Sequence, residues 1–441
     1  MSQRQAQIES LLTQAQKLYA AGQAQVAAGL CTQVLELDAQ QPTALQQLSG
    51  LCLAAGDFER AAGYLRRYCK IEPRAVEAHH ALGVALEGLG EGDEALASYR
   101  RAVRFNPANP VSYLYLGSLL EDRGETALAA QAYGMAVDAA PNIKHYAAPA
   151  MKVAEPIRIR AQKANNLLHR IGGDLHRAAI AKARDDFPDS DFARVSHGLW
   201  RKLYDGDVPF TTLMQQPMGF FLPGLPARPW VERDEVEWIA ELESECDAIA
   251  AEIAAAFNPD ADAVPYIHGR TASPKTWGDL IDSPDWGAFH FYNAGVRQAQ
   301  AFERFPHTGA VIDALPVFRI DDRPVEALIS VLRPHTRIPP HFGFTNVRLT
   351  VHLPLIVPDH CGLRAGDEVR ETQRGICLLF DDSFRHEAWN DSDEIRIVLI
   401  VEAWHPELSA PERAAIEASF IAYEAWEKAR DPAALLGEGS P

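Results

Sequence analysis

The sequence predicts a multidomain protein in which an all-α solenoid of helical repeats precedes a β-rich domain with flanking helices. Three observations predict this. At 441 residues the chain exceeds the size at which one hydrophobic core usually stops growing. A 34-residue period runs through the first 140 residues, as in stacked helical units. From about residue 207, short apolar runs alternate with Gly, Pro and Asp turns, which favours a double-sheet jelly roll.

Small residues and prolines define the repeat. A small residue lets two antiparallel helices approach closely, glycine suits the turn between them, and proline ends the second helix. The recurring positions are Ala27, Ala61, Ala95 and Ala129; Gly22, Gly56, Gly90 and Gly124; and Pro73, Pro107 and Pro141. This pattern closely resembles the tetratricopeptide repeat over roughly residues 8–143. Such arrays form a curved solenoid whose concave face commonly binds peptides or proteins, so we expect a peptide or protein substrate to dock there.

The changes in pattern divide the chain into four segments. We predict a repeat array of about four units at residues 1–143 and a helical cap or linker at 144–206. The β-rich domain is expected at 207–430, and a flexible tail at 431–441. A cap is needed because the last repeat would otherwise expose its apolar face.

Charge and cysteine usage exclude several classes of protein. The net charge of −18 and the pI near 5.3 disfavour binding to nucleic acid, which requires clustered Lys and Arg. The six cysteines contain no CxxC pair, so neither a zinc knuckle nor a disulfide framework is indicated. No apolar run approaches the roughly 18 residues of a membrane-spanning helix. We therefore expect a cytoplasmic protein with no membrane segment and no nucleic-acid partner.

Two histidines stand out in the β-rich half. One amphipathic helix is predicted over residues 234–257. Strands are predicted in the five apolar runs that follow it, GAFHFYNAG, VEALISVLR, VRLTVHLPLIV, GICLLF and IRIVLIVEAW. His341 lies at a predicted strand entrance in RIPPHFGFTNVRLTVH, and His386 lies in FDDSFRHEAWN just before a strong strand. A lone histidine is more often a surface or hydrogen-bonded residue than a ligand, so each is weak evidence alone.

The surrounding motifs make the pair specific. The stretch from Ser330 to Pro406 contains PHFGFTNVRLTVHLPLIVP, CGLRAGDEVRE and FDDSFRHEAWN, followed by IRIVLIVEAWHPEL. It resembles the core of the aspartyl/asparaginyl β-hydroxylase family, and the resemblance covers roughly residues 215–410. It implies a double-stranded β-helix, a jelly-roll or cupin-like fold. It also implies an iron(II)- and 2-oxoglutarate-dependent dioxygenase that uses O2, with the β-carbon of an Asp or Asn-type residue in a peptide or protein as target.

The resemblance assigns roles to individual residues. His341 and His386 match the two metal ligands, and Gly343 stands where most oxygenases of the wider superfamily carry a carboxylate. Arg396, the third member of the catalytic set, matches the arginine that binds the 5-carboxylate of 2-oxoglutarate. The remaining cosubstrate and pocket positions are Ser330, beside that carboxylate; His352, near the other carboxylate; and Arg348, a basic position facing the pocket. Animal members carry a second arginine where this chain has Thr350, and strand alternation places residues 348, 350 and 352 on one face.

Other interpretations of these residues stay open at this point. Arg396 could be a surface arginine, and Asp381 and Asp382 are expected to shape the loop before His386 rather than to bind metal. The chain could hydroxylate a small molecule or a lipid instead of a peptide. It could also be a repeat adaptor with a degenerate oxygenase domain, or a metal-binding sensor without turnover.

Overall fold

The computed structural model describes residues 3–204, 206–269 and 273–437. The chain divides into two compact units, Met1–Arg170 together with Lys428–Pro441, and Ile171–Glu427. The predicted tail therefore contributes to the first unit, where Pro432–Leu435 form a short helix and Leu435 is buried. The last four residues of that tail, 438–441, lie outside the described residues.

The first unit is an array of eight antiparallel helices, as predicted. Consecutive helices pair within each repeat and between repeats. Their bounds are α1 Gln3–Ala20, α2 Ala24–Leu37, α3 Pro42–Ala54, α4 Phe58–Ile71, α5 Val76–Gly88, α6 Gly92–Phe105, α7 Pro110–Asp122 and α8 Thr126–Ala139. A 3-10 helix, Pro141–Ala147, follows, and then the 32-residue helix α9, Glu155–Asp186.

The repeat residues lie where the pattern requires them. The four recurring glycines have φ between 74° and 78°, the left-handed conformation that glycine adopts without steric cost. Helices α4, α6 and α8 each end two residues before a recurring proline. A Cβ on Gly83 would lie 2.4 Å from the ring of Tyr99, so this position must be glycine for the ring to pack.

Seven helices belong to the second unit besides the end of α9. They are α10 Ile239–Ser244, α11 Cys246–Ala256, α12 Pro259–Asp262, α13 Pro274–Trp277, α14 Ala299–Arg304, α15 Pro306–Ala314 and α16 Ala410–Lys428, whose last residue falls in the first unit. The single helix predicted over 234–257 is wrong, because α10 and α11 are separated at Glu245. Its N–H bonds to the oxygen of Leu242, three residues back, which closes a tighter turn. No helix in the described part of the chain is both long and apolar enough to cross a membrane.

Sixteen strands occur among the described residues of the second unit, in two main sheets and two small ribbons. They are β1 Leu199–Trp200, β2 Phe220–Phe221, β3 Trp230–Val231, β4 Val264–Pro265, β5 Trp286–Asn293, β6 Val296–Arg297, β7 Arg319–Ile320, β8 Arg323–Pro324, β9 Ala327–Leu332, β10 Thr336–His341, β11 Arg348–Ile356, β12 Cys361–Ala365, β13 Glu368–Glu371, β14 Leu378–Phe380, β15 His386–Asn390 and β16 Arg396–Trp404. All pairings between them are antiparallel.

The large sheet contains every strand that the sequence predicts from an apolar run. Its order is β3-β14-β11-β16-β9-β5-β4, with β6 on β5, and the small sheet has the order β10-β15-β12-β13. Alternate side chains, such as Ile329, Val351 and Leu399, pack against α10, α11, α14 and α15. The opposite face of the large sheet lines a cavity together with the small sheet. This is the predicted jelly-roll arrangement.

Candidate functional site

His341 and His386 lie side by side in the small sheet. His341 is the last residue of β10, His386 is the first of β15, and the two are paired in register after a bulge in β10. Their ring centroids are 4.0 Å apart. The sequence predicts His341 at a strand entrance and His386 just before a strong strand, whereas in the structure each belongs to a short strand of its own. The antiparallel pairing nevertheless brings together two residues that are 45 positions apart.

Both imidazoles are held in the state that a metal ligand needs. Nδ1 of His341 contacts the oxygen of Pro339 at 2.8 Å, and Nδ1 of His386 contacts the oxygen of Phe384 at 2.9 Å. A carbonyl only accepts, so Nδ1 carries the hydrogen and Nε2 keeps its lone pair. Burial, with the neighbouring His386, lowers the pKa of His341 to about 3, and burial lowers that of His386 to about 4. Both rings are neutral at physiological pH.

In a metal centre of two histidines and one carboxylate, residue 343 would supply the carboxylate. In this chain residue 343 is glycine, and the space for a side chain there is already filled. A Cβ on this residue would lie 2.2 Å from Cγ of Asp382, so no side chain fits there while Asp382 keeps its place. The Gly343 N–H donates to the backbone oxygen of Asp382 at 2.6 Å, which joins the two loops. Within the described ranges no group of three or more His, Cys, Asp or Glu side chains is arranged to hold a metal. The residues present therefore fit a centre with two protein ligands.

Arg396 supplies an unusual positive charge inside the domain. It is 1% exposed, and no carboxylate pairs with it among the residues the structure describes. Its Nε is buried without a hydrogen-bond partner in the same part of the chain, and burial lowers its pKa to about 10, so it stays charged. A buried guanidinium without a counter-charge is costly unless an anion binds to it. The surface interpretation of Arg396 is therefore wrong.

Ser330 and His352 lie on the same face of the sheet as Arg396. Ser330 pairs in register with Val398, two residues along β16 from Arg396, and its Oγ accepts from Nε1 of Trp286 at 3.3 Å. His352 is 7% exposed, and burial, the charge of Arg396 and the nearby His386 ring hold its pKa well below the usual value. The two histidines, the arginine, the serine and His352 all line one cavity of about 270 Å³.

The other end of this cavity carries Arg348 and three carboxylates. Strand alternation places Arg348 and Thr350 on the face of His352, as expected, and Thr350 pairs in register with Glu402. Nη1 of Arg348 forms an ion pair with Glu402, and its Nη2 lies 3.8 Å from Oδ2 of Asp382. Glu326 contributes the third carboxylate.

Several residues that line the site were not identified from the sequence. Glu326, Glu402 and Trp277 line the cavity, and the rings of Trp277 and His341 are 4.8 Å apart. Strand alternation, counted from Arg396, was the only available signal for Glu402. Asp381 accepts hydrogen bonds from Nε2 of Gln215 and the N–H of Ser383, within its own turn, whereas Asp382 lines the cavity.

Comparison with known proteins agrees with this arrangement. Residues 243–406 match the model of the family described as "Aspartyl/Asparaginyl beta-hydroxylase". Three overlapping segments, 12–75, 51–110 and 80–142, match the tetratricopeptide repeat. Both matches fall on the regions where the motifs were recognised, so the recognition of the two domain types is confirmed.

The relatives described here each match less than half of this chain. "Aspartate beta-hydroxylase domain-containing protein 2" of Xenopus tropicalis is 34% identical over 212 residues, 47% of this chain and 55% of the relative. "Ornithine lipid ester-linked acyl 2-hydroxylase" of Rhizobium tropici is 32% identical over 179 residues, 40% of this chain and 60% of the relative. The chain thus spans little more than half the length of these relatives.

The comparison with solved structures matches part of this chain. The chain and the tetratricopeptide protein YrrB, a protein "with an unusual peptide-binding site", are 18% identical with a TM-score of 0.30, over 38% of this chain and 90% of that chain.

Proposed function

Because residues 243–406 form a domain of the aspartyl/asparaginyl β-hydroxylase family, we propose that this chain is an iron(II)- and 2-oxoglutarate-dependent dioxygenase. Its reaction is the hydroxylation of an unactivated C–H bond, with the β-carbon of an Asp- or Asn-type residue in a peptide as the target implied by the family. The observation that carries the proposal is the cavity shared by two neutral histidines and a buried arginine that has no carboxylate partner in the described part of the chain.

In this proposal the protein binds and orients the reactants. His341 and His386 would hold iron(II) through Nε2, because each Nδ1 hydrogen is bonded to a carbonyl. Arg396 would bind the distal carboxylate of 2-oxoglutarate through charge-assisted hydrogen bonds, with Ser330 beside it. His352 would contact the carboxylate nearer the metal. Iron with 2-oxoglutarate and O2 would supply the oxidation, releasing succinate and CO2 as the substrate gains one oxygen atom.

The cavity walls protect this chemistry from water. Trp277 and Trp286 lie against His341, and Phe380 lies 5.3 Å from the ring of His386. Such walls strengthen the electrostatic interactions of the bound groups and limit side reactions.

The repeat array suggests how a polymeric substrate is recruited. Tetratricopeptide arrays present a concave surface to peptides or proteins, and we propose that this one docks the substrate. We also propose a cytoplasmic location, because all six cysteines are free thiols.

Succinate formation tests the proposal directly. The full chain is loaded with iron anaerobically, 2-oxoglutarate and O2 are added, and peptides containing Asp or Asn are screened by mass spectrometry. Peptide-stimulated succinate with a product heavier by one oxygen supports a peptidyl hydroxylase. Absence of iron-dependent succinate under all conditions contradicts the proposal and favours the adaptor or the sensor without turnover.

Acyl lipids are the second candidate substrate. The similarity to the acyl hydroxylase of Rhizobium tropici favours this alternative over other small molecules. Iron-dependent succinate that is stimulated by acylated lipids, and by no peptide, would select it.

A further inference from the structure

The cavity wall at the end away from Arg396 has more carboxylates than cations. Glu326, Asp382 and Glu402 line it, and Arg348 is the one cation beside them among the described residues. Both terminal nitrogens of Arg348 face carboxylates, since Nη1 pairs with Glu402 and Nη2 faces Asp382, whereas its Nε is buried without a hydrogen-bond partner among the described residues. The neighbouring Glu326 contacts Nδ1 of His290 at 2.8 Å, and that ring is charged only when protonated. When Glu326, Asp382 and Glu402 are all ionised, the carboxylates on this wall therefore outnumber its cations by two.

Two carboxylate oxygens on this wall remain without hydrogen bonds. Oε2 of Glu402 and Oδ1 of Asp382 are buried and have no partner within the described residues. Glu402 is only 4% exposed. A buried carboxylate oxygen without a donor costs free energy, and such an atom at the wall of a cavity indicates a ligand that donates to it.

We propose that Glu402 and Asp382 form a subsite for a positively charged group of the substrate, a protonated amine or a guanidinium. This inference rests on the oxygenase reaction of the proposed function, and it replaces the Asp- or Asn-type target implied by the family with a substrate that carries a positive charge. A cation would donate to Oε2 of Glu402 and Oδ1 of Asp382 and would balance the charge that Arg348 leaves. An acidic side chain at the same place would meet like charges in a medium that screens them poorly, so an aspartyl substrate is disfavoured.

Thr350 leaves the subsite without a further positive charge that would compete with such a group. It lies in register with Glu402 on the neighbouring strand, and its short neutral side chain adds no charge. An arginine at this position would place a second cation against Glu402 and reduce the excess from two negative charges to one. The identity of residue 350 thus affects how strongly this wall favours a positively charged group.

Binding of capped amino acids tests the preference. The full chain is titrated by calorimetry, under anaerobic conditions with iron and 2-oxoglutarate and again without them. The probes are N-acetyl-lysine amide, N-acetyl-arginine amide, N-acetyl-asparagine amide, N-acetyl-aspartate amide and the neutral N-acetyl-norleucine amide; n-butylamine distinguishes a small amine from a peptide side chain. We expect the lysine or arginine probe to bind about tenfold more tightly than norleucine, with aspartate weakest. An order led by aspartate, asparagine or norleucine overturns the proposal.

Three variants locate the preference in the cavity. Glu402→Gln keeps the shape and removes the charge, so most of the advantage of the basic probes should disappear. Thr350→Arg should move the preference toward the aspartate probe. Glu394→Gln, the same change at an exposed residue just before β16, is the matched control and should leave the order unchanged. Circular dichroism checks that each variant is folded.

The outcomes separate this inference from the proposed function. A cation preference that survives Glu402→Gln refutes the subsite, even if 2-oxoglutarate is turned over. A preference that depends on Glu402 without any iron-dependent succinate supports the subsite while contradicting the proposed function.

Discussion

The hydrogen bonds of His341 and His386 support the proposal that these two residues bind a metal. Each ring donates Nδ1–H to a carbonyl two residues earlier, so the backbone itself selects the tautomer. The proposed role of each ring as a metal ligand therefore depends on a small number of local hydrogen bonds.

Replacing either histidine should remove metal binding as well as turnover. His341→Ala and His386→Ala each delete one of two protein ligands, so we expect iron retained after gel filtration to fall to background and succinate formation to cease. The control is His197→Ala, at an exposed histidine, which should retain iron like the wild type. Wild-type iron content and turnover in His386→Ala would refute the ligand assignment.

Arg396→Ala should act mainly on the cosubstrate. Truncating one partner of a buried charge pair costs roughly 2–5 kcal/mol, so the KM for 2-oxoglutarate should rise by at least about tenfold, more than kcat falls. Steady-state kinetics over a wide range of 2-oxoglutarate measures this split. Arg337→Ala, an exposed arginine on β10, serves as the control. An unchanged KM in Arg396→Ala would exclude the assigned contact.

Glu402 should make cation binding depend on pH. Burial, reinforced by Glu326 and Asp382 and opposed by Arg348, raises its pKa to about 8, so the free side chain is largely protonated at pH 6. A cation requires the ionised form, and a lysine side chain stays charged below pH 10. Affinity for N-acetyl-lysine amide should therefore rise between pH 6 and pH 8 and level off near pH 9. Calorimetry measures the slope, and Glu402→Gln should abolish it; a persisting slope would assign the titration to another group.

The two sheets of the second unit differ in how clearly the sequence predicts them. The five predicted apolar strands form the adjacent series β14-β11-β16-β9-β5, whose members are buried between helices and the cavity. The small sheet consists of strands such as TRIPPH and EVRE, which have neither apolar alternation nor β propensity. Only pairing with neighbouring strands makes them extended, and this is the sheet that carries both histidines.

In the repeats, close contact with a tyrosine ring explains a recurring glycine. The sequence period shows that this glycine recurs but gives no reason for it. Gly83 on α5 and Gly117 on α7 lie under the rings of Tyr99 and Tyr133, with an added Cβ 2.4 Å and 2.6 Å from the ring. Each tyrosine hydroxyl also donates to a glutamate twelve residues earlier, at 2.8 Å and 2.9 Å. Two successive repeats therefore use the same contact, and these tyrosines are packing residues.

Gly83→Ala should consequently destabilise the array. Forcing a methyl group against Tyr99 is overpacking, which costs about 1–3 kcal/mol, and this exceeds the gain of up to about 1 kcal/mol in helix propensity. Urea unfolding followed by circular dichroism measures the change. Gly63→Ala on α4 is the matched control, because its Cβ would meet nothing within 4 Å, and it should be neutral or stabilising. Equal effects at both positions would contradict the packing argument.

At the scale of the whole molecule, every residue assigned to metal or cosubstrate belongs to the unit Ile171–Glu427. The other unit contains the repeats and supplies no residue to the cavity. The proposed oxidation is thus assigned to one unit of the chain, and the proposed docking of the substrate to the other.

Ligand binding should stabilise these units unequally. A ligand that binds only the native state raises its stability, and local protection from exchange follows the part that the ligand contacts. Anaerobic iron with 2-oxoglutarate should slow amide hydrogen exchange in β9, β11 and β16, while amides of α1–α6 keep their rates. Hydrogen exchange with mass spectrometry measures both. Protection confined to the helices would place the ligand outside the proposed site.

The sequence by itself determined the order of the two domain types, the repeat phase, the central strands and the residues of the motif. Periodic apolar and small residues suffice for this because they encode local structure and burial. Tertiary structure alone decided that Asp382 fills the space above Gly343, that Arg396 has no counter-ion among the described residues, and that Glu402 belongs to the cavity. Each of these facts depends on strands that are distant in the chain but adjacent in the fold. The charge balance of the cavity is therefore known only once those strands are brought together.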